Sequence, residues 1–216
     1  MIIYFHIRYI VSKKGTYVTC MKLLFRRGKF VTSNNLLKIM RNVVNVRNYT
    51  NQKIPEQLLN MLYEAFSLGP SSVSNQAREL LVIENAETRQ IIVEATLNPY
   101  FTKDSYGAQK WLLDAPFVAI VLIETRRAIA RIGEQGKKIA FLEAESAIHN
   151  FRLMAQFHGI ATTCIREFDQ EKLIENLNLP WYIGISALLT AGYSSEETSP
   201  PPRLSVQEIV SKEEWN

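Results

Sequence analysis

Acidic residues are missing from the first quarter of this 216-residue chain, where no Asp or Glu occurs before Glu56. Eleven of the 25 Lys and Arg residues lie ahead of that position, so residues 56–216 hold 14 basic and 21 acidic side chains and a formal charge of −7. The net charge of +4 and the pI near 9.0 are therefore properties of the N-terminal segment. That segment has no repeat of basic and aromatic residues, so we expect no nucleic-acid partner.

Cysteine and long apolar runs are also scarce. Cys20 and Cys164 are the two cysteines, and because they form no CxxC pair they predict neither a disulfide framework nor a metal site. The longest apolar run, 115–123, has the length of a strand and is far shorter than the roughly 18 residues of a membrane-spanning helix. We therefore expect a cytoplasmic protein with no membrane partner.

The motifs of several large enzyme classes are missing as well. The chain contains no GxGxxG, GxxxxGK, GxSxG or HExxH pattern. Their absence removes support for a dinucleotide-binding fold, a P-loop, a serine-hydrolase elbow and a zinc-dependent protease. We expect any chemistry to come from a bound cofactor rather than from an acid–base pair of side chains.

Apolar periodicity predicts helices and strands in mixed order from Thr32 onwards. The order is helix, helix, strand, helix, strand, long helix, strand, helix, strand, which is typical of an α+β fold, an α/β sandwich with about four core strands. We expect Ser33 or Asn34 to cap the first helix and Gly69 to end the second. The other predicted helices are 87–95, 138–158 and 169–177, and the predicted strands are 80–83, 117–123, 160–165 and 183–192.

Residues 69–76 are the clearest turn signal, because Gly and Pro are followed by Ser, Asn and Gln between a predicted helix and a predicted strand. Their hydroxyl and amide groups can both donate and accept hydrogen bonds, as a flat polar heterocycle requires. The segment is therefore either a simple connector or part of a binding site.

Several separated motifs together resemble the FMN-dependent nitroreductase family. They are the segment 46–49, the loop from Pro70 to Gln76, the long helix running into 159–162, and the closing 192–193 followed by prolines, Arg203 and Trp215. The resemblance implies that residues 32–216 are a nitroreductase-like FMN-binding domain and residues 1–31 a basic extension of unknown role. It also implies a central, mostly antiparallel sheet flanked by helices, with an extended C-terminal arm.

The resemblance implies an FMN site with no catalytic side chain and no metal, because the flavin carries the chemistry. Arg47 and Arg203 would hold the phosphate and ribityl end, since guanidinium groups bind phosphate in a two-pronged geometry. The serines would cradle the ribityl chain, and backbone near Cys164 would run along the flavin ring. The implied cofactor-binding residues are Asn45, Arg47, Ser71, Ser72, Ser74, Gln76, Cys164, Ile165, Arg166 and Arg203.

The sequence departs from the family's pattern at the phosphate motif. The family's Arg-Arg-Ser falls on 43–45, Val-Val-Asn, so one phosphate-binding arginine is absent and Asn45 takes the place of the serine. Loss of one charged hydrogen bond weakens FMN affinity by about ten- to a hundredfold. Ser74 also replaces the usual asparagine, and Arg166 and Glu167 occupy an often glycine-bearing stretch.

The resemblance also implies an intertwined homodimer with FMN at its interface and the apolar tail 204–215 wrapped around the partner. NADH or NADPH would reduce the flavin and leave, and a nitroaromatic, quinone or similar small acceptor would then take the electrons in a ping-pong reaction. The alternative is a non-catalytic flavin-binding or flavin-sequestering member of the same fold.

Overall fold

A computed structural model of the protein describes residues 32–97 and 106–215, so the predicted extension 1–31 lies outside the described residues. The four strands within these ranges are β1 (Arg78–Val82), β2 (Phe117–Glu124), β3 (Ala161–Ile165) and β4 (Ile183–Gly192). They form one antiparallel sheet in the order β1-β2-β4-β3. The predicted α+β class is confirmed.

Helices cover both faces of the sheet. They are α1 (Ser33–Arg41), α2 (Glu56–Ser67), α3 (Ala86–Ala95), α4 (Thr125–Ile129), α5 (Gln135–Phe157), α6 (Gln170–Asn176) and α7 (Val206–Ile209). Residues of α2 and α5 share one buried core with the sheet, and residues of α3 and α6 share a second core on the opposite face. The sheet is therefore the middle layer of a sandwich, as predicted.

Strand β2 lies between the two cores and is buried along its whole length. Successive side chains of a strand point to opposite faces, and β2 accordingly supplies alternate residues to the two cores. A bulge at Ser186 interrupts this alternation in β4, because Val121 pairs with Ala187 while Leu122 pairs with Ile185. Ile185 and Leu188 consequently both face the second core.

The structure corrects several predicted boundaries. Thr32, not Ser33 or Asn34, caps α1, because its hydroxyl accepts a hydrogen bond from the Asn35 N–H at 3.3 Å. Strand β1 begins at Arg78 rather than at position 80, and α5 begins at Gln135 rather than at 138. Helix α2 ends at Ser67 with Leu68 as its C-cap, so Gly69 is the first residue past the cap, as predicted.

Helix α4 was not predicted, because it has only five residues and two of them are arginines. It begins where Glu124, at the end of β2, accepts hydrogen bonds from the backbone N–H groups of Arg126 and Arg127 at 3.2 and 3.1 Å. A carboxylate cap of this kind satisfies N–H groups that have no partner inside the helix. Across the described residues, no helix is both long and apolar enough to span a bilayer.

Candidate functional site

The connector between α1 and α2 runs beside β3 and carries the first predicted site residues. Asn45 forms a parallel bridge with Thr162, and the Val46 N–H donates to the Thr162 carbonyl at 3.3 Å. Val46 is buried, whereas its neighbours Asn45 and Arg47 are exposed. Because side chains alternate along an extended chain, Asn45 and Arg47 lie on the same outward side.

Arg152 of α5 reaches this connector, and the sequence analysis missed it. Its Nε donates to the Thr162 hydroxyl at 3.1 Å, and its Nη2 donates to the Val44 carbonyl at 3.1 Å and to Asn45 Oδ1 at 2.8 Å. Burial lowers the pKa of the Arg152 guanidinium. Its only trace in the sequence is a lone arginine in the last third of the predicted long helix.

A cleft of about 380 Å³ opens at this point, and we call it the arginine cleft. Its lining residues are Val43, Val44, Asn45, Arg152, Ser199, Pro201 and Arg203. No carboxylate belongs to this lining, and within the described residues neither Arg152 nor Arg203 forms a salt bridge. Two guanidinium groups without acidic partners give the cleft the character of an anion site.

Arg47 stands next to the arginine cleft, but it is not among the residues that line it. Its backbone N–H donates to Glu196 Oε1 at 3.1 Å, and the Asn48 side-chain amide donates to Glu196 Oε2 at 2.5 Å. The hydrogen bond from Asn48 and those from the backbone hold the pKa of Glu196 below its ordinary value. The ionised carboxylate thus ties the connector to the segment that follows β4.

The predicted serine-rich segment, residues 70–76, forms a tight turn that we call the serine loop. Val73, Ser74 and Gln76 all have positive φ angles, of 46°, 57° and 46°. Such angles are unfavourable for residues with a side chain, and especially for the β-branched Val73. The Ser71 hydroxyl spans the turn, because it accepts from the Gln76 N–H at 2.8 Å and lies 3.1 Å from Asn75 Oδ1.

Neighbouring elements hold the serine loop in this conformation. The Glu143 carboxylate of α5 accepts a hydrogen bond from the Ser72 N–H. The remaining contacts are donated by arginines to backbone carbonyls: Arg78 to Ser67, Gly69 and Pro70, Arg127 to Gln76, and Arg131 to Val73. Residues outside the loop therefore hold its backbone in place.

The end of β3 contributes backbone rather than side chains. Cys164 and Ile165 are buried in the two opposite cores, and burial raises the pKa of the Cys164 thiol to about 11. Arg166 is exposed, and its Nε donates to Glu145 Oε1 of α5 at 3.1 Å. The Arg166 backbone N–H, just beyond the strand, donates to Glu167 Oε2 at 3.3 Å.

In one protomer the predicted site residues form two groups, which lie on opposite sides of helix α5. The α5 residues that contact each group show this arrangement. Glu143, which holds the serine loop, and Arg152, which lines the arginine cleft, are nine residues apart in α5. That spacing separates them by roughly 13 Å along the helix axis and by about half a turn around it. Glu145, which binds Arg166, is seven residues from Arg152 and shares its side of the helix. The arginine cleft and the end of β3 therefore face one side, and the serine loop faces the other.

The serine loop borders a different cleft, of about 560 Å³, beside the outer edge of β1. Gln76, Arg78 and Arg127 are among its lining residues. Of the predicted site residues, the arginine cleft includes Asn45 and Arg203, and this second cleft includes Gln76. Neither of these two clefts contains residues of both groups.

Comparison with known proteins agrees with this architecture. Residues 44–193 match the model of the nitroreductase family. The FMN reductase (NAD(P)H) of Bacillus subtilis is 23% identical over 195 residues, which cover 84% of this chain and 74% of that protein. An NADH dehydrogenase of Thermus thermophilus is 24% identical over 184 residues, which cover 76% of this chain and 89% of that protein.

A solved structure shares the fold despite low sequence identity. The NADPH:FMN oxidoreductase from Vibrio harveyi, complexed with NAD+, aligns with a TM-score of 0.72 and 17% identity. The alignment covers 85% of this chain and 79% of that chain. The fold implied by the sequence resemblance is therefore confirmed.

Proposed function

This chain belongs to the nitroreductase family, and from that premise we propose that it is an FMN-dependent oxidoreductase that takes electrons from NADH or NADPH. The single observation that carries the proposal is the arginine cleft, where Arg152 and Arg203 present guanidinium groups beside Asn45. The names of two relatives, an FMN reductase and an NADPH:FMN oxidoreductase, support the same assignment.

The arginine cleft fits the phosphate of FMN. A phosphate monoester carries about two negative charges near neutral pH and binds guanidinium groups through charge-assisted hydrogen bonds. Arg152 and Arg203 supply the matching positive charge, and within the described residues no carboxylate neutralises them through a salt bridge. Arg47 lies on the same outward side as Asn45, but the ionised Glu196 beside it offsets part of its positive charge.

The end of β3 fits the edge of the flavin ring. The backbone N–H of Arg166 lies just beyond β3. Among the described residues, its only hydrogen-bond partner is the carboxylate of the adjacent Glu167. Bound FMN would supply the electron-transfer chemistry, and the backbone here would orient the ring and donate a hydrogen bond to it. Cys164 and Ile165 contribute backbone only, because their side chains are buried.

We further propose that the working form is a homodimer. One protomer directs the serine loop and the arginine cleft to opposite sides of α5, so two-fold pairing would bring the loop of one protomer to the cleft of its partner. The C-terminal arm, residues 204–215, supports this pairing, because large apolar side chains of the arm are exposed in the protomer. They are Leu204, Val206, Ile209, Val210 and Trp215. Exposed apolar segments of this kind mark interaction surfaces.

The proposed acceptor is a small planar oxidant such as a nitroaromatic or a quinone, reduced in the second half of a ping-pong cycle. We also propose a cytoplasmic location, because a reducing compartment suits the free thiol of Cys164. Steady-state rates measured over a grid of NADPH and quinone concentrations test the cycle. Parallel double-reciprocal lines are expected, and intersecting lines would contradict it.

FMN binding itself tests the assignment. Titration of FMN into flavin-free protein should quench the flavin fluorescence to saturation at a stoichiometry of about one flavin per protomer, as two equivalent sites per dimer require. Absence of saturable quenching would overturn the proposed function.

A further inference from the structure

The arginine cleft lacks a basic residue at the positions where the sequence resemblance expects one. Val43 and Val44 line the cleft in place of arginine, and neither side chain can bind an anion. Arg152 lines the same cleft but comes from α5, more than one hundred residues further along the chain. A positive charge is thus present in the cleft although the local sequence motif lacks it.

The orientation of the Arg152 guanidinium is fixed by its neighbours. Its Nε and Nη2 bond to Thr162, Val44 and Asn45 at 2.8 to 3.1 Å. Its Nη1 makes no hydrogen bond to the described residues and is not fully buried. It can therefore donate a hydrogen bond to a ligand in the cleft. A guanidinium held in this way loses little conformational freedom when it binds phosphate.

Arg152 also has no ion-pair partner in the described part of the chain. Among the described residues no carboxylate lies within salt-bridge distance of it, and Glu145 is already paired with Arg166. Burial lowers the pKa of Arg152, which means that its surroundings disfavour the positive charge. An anion in the cleft would offset that cost.

We propose that Arg152 binds the phosphate of FMN in place of the arginine that is missing at positions 43 and 44. Asn45 takes part through its side chain, whose Oδ1 holds the guanidinium while its amide group can donate to the same phosphate. This proposal rests on the proposed FMN-dependent function. It adds a phosphate-binding residue that the sequence motif does not contain.

The test compares FMN with riboflavin, which has the same ring and ribityl chain but no phosphate. Dissociation constants of both flavins are measured by fluorescence quenching for the wild-type protein, Arg152→Gln, Arg152→Lys and Lys138→Gln. Lys138 is an exposed residue of the same helix, so its substitution removes one positive charge away from the cleft. Circular dichroism melting curves accompany each variant.

Arg152→Gln should weaken FMN binding by about ten- to a hundredfold and leave riboflavin binding nearly unchanged. Arg152→Lys should recover part of the FMN affinity, because it keeps the charge but loses the planar fork. Lys138→Gln should behave like the wild type. Inorganic phosphate should compete with FMN in the wild type and less effectively in Arg152→Gln.

Three results would overturn the inference. If FMN binds the wild type tightly and Arg152→Gln binds both FMN and riboflavin as tightly as the wild type does, Arg152 does not bind the phosphate, while the proposed function stands. If Arg152→Gln weakens both flavins equally, Arg152 has a structural role and does not bind the phosphate. If the wild type binds no flavin, the proposed function itself fails, and the inference fails with it.

Discussion

Glu143 shows how one buried side chain can position a loop that we propose to bind FMN. Its carboxylate is 7% exposed and accepts the Ser72 N–H from the middle of the serine loop. Glu143→Ala leaves that N–H without an acceptor, and we expect it to lower the free energy of unfolding by about 1 to 3 kcal/mol. We also expect weaker FMN binding, because the loop would lose its shape. Urea unfolding and flavin titration measure the two effects.

Two further substitutions serve as controls for Glu143. Glu143→Gln keeps an acceptor oxygen of similar size and should retain most of the stability. Glu145→Ala removes a more exposed carboxylate from the same helix, one that pairs with Arg166 at the surface. Exposed ion pairs contribute about 0 to 1 kcal/mol, so its effect on stability should be small. Equal losses for Glu143→Ala and Glu145→Ala would contradict the role given to Glu143.

Cys164 should make stability depend on alkaline pH. Burial raises the pKa of its thiol from 9.0 to about 11 in the folded protein. As the pH rises from 9.0 to about 11, the unfolded chain releases its thiol proton before the folded protein does, so the free energy of unfolding falls. The loss amounts to about 2 to 3 kcal/mol once the pH exceeds the folded-state pKa.

Unfolding measured at a series of pH values for the wild type and Cys164→Ala tests this dependence. Cys164→Ala is expected to be less stable near neutral pH, because it leaves a small cavity. Its stability should nevertheless decline less steeply above pH 9, because the buried thiol is gone. Parallel pH profiles for the two proteins would show that Cys164 does not carry the effect.

At the scale of elements, α5 holds both halves of the proposed site. It contacts α2 closely through small residues, and the end of α2 leads into the serine loop. A Cβ atom at Gly69 would lie 2.6 Å from the Cβ and 2.8 Å from the Cα of Ala147, closer than atoms in a packed core can approach. Gly69, the first residue past the C-cap of α2, is therefore also required by this contact.

Gly69→Ala should consequently separate α2 from α5 and distort the loop. We expect a loss of about 1 to 3 kcal/mol in the free energy of unfolding, the usual cost of overpacking. Adding Ala147→Gly removes the nearer of the two atoms and should restore part of the loss, despite the cost of about 1 kcal/mol for glycine in a helix. A double-mutant cycle measures this coupling, and strictly additive effects would rule out the contact as the cause.

The sequence predicted the long and strongly apolar elements best. β2 and β4 were recognised because buried strands are nearly continuous apolar runs, and the range predicted for β4 agrees with the structure. Helix α4 was missed because its start depends on Glu124 acting as a cap, not on apolar periodicity. The α1 cap was misplaced because Thr32, Ser33 and Asn34 are all competent caps, and only the backbone geometry distinguishes them.

Arg152 could not have been assigned from the sequence for a different reason. Its partners Val44 and Asn45 are 108 and 107 positions away, and only the fold brings them beside α5. The serine loop, by contrast, was visible as a local motif. The sequence did not reveal that loop and arginine cleft lie on opposite sides of α5 in one protomer.

At the scale of the whole molecule, the site is expected to be complete only in the dimer. Deletion of residues 204–216 removes the exposed apolar arm and should convert a dimer into a monomer. FMN affinity should fall when the dimer is lost, because the serine loop and the arginine cleft would no longer meet. Light scattering coupled to size-exclusion chromatography measures the mass, and flavin titration measures the affinity.

Deletion of residues 1–31 is the matched control, because we propose that this basic extension is separate from the FMN-binding domain. The shortened protein should keep the dimeric mass and the FMN affinity of the full chain. A dimer that survives loss of the arm, or a dimer lost with the extension, would contradict the proposed assembly.

The most direct test of the central claim is anaerobic addition of NADPH or NADH to the FMN-loaded protein while the yellow absorption band of the bound flavin is recorded. We predict that at least one nicotinamide bleaches the band and that a quinone added afterwards restores it. Bound flavin that stays oxidised with both nicotinamides would contradict an oxidoreductase and favour a flavin-sequestering protein.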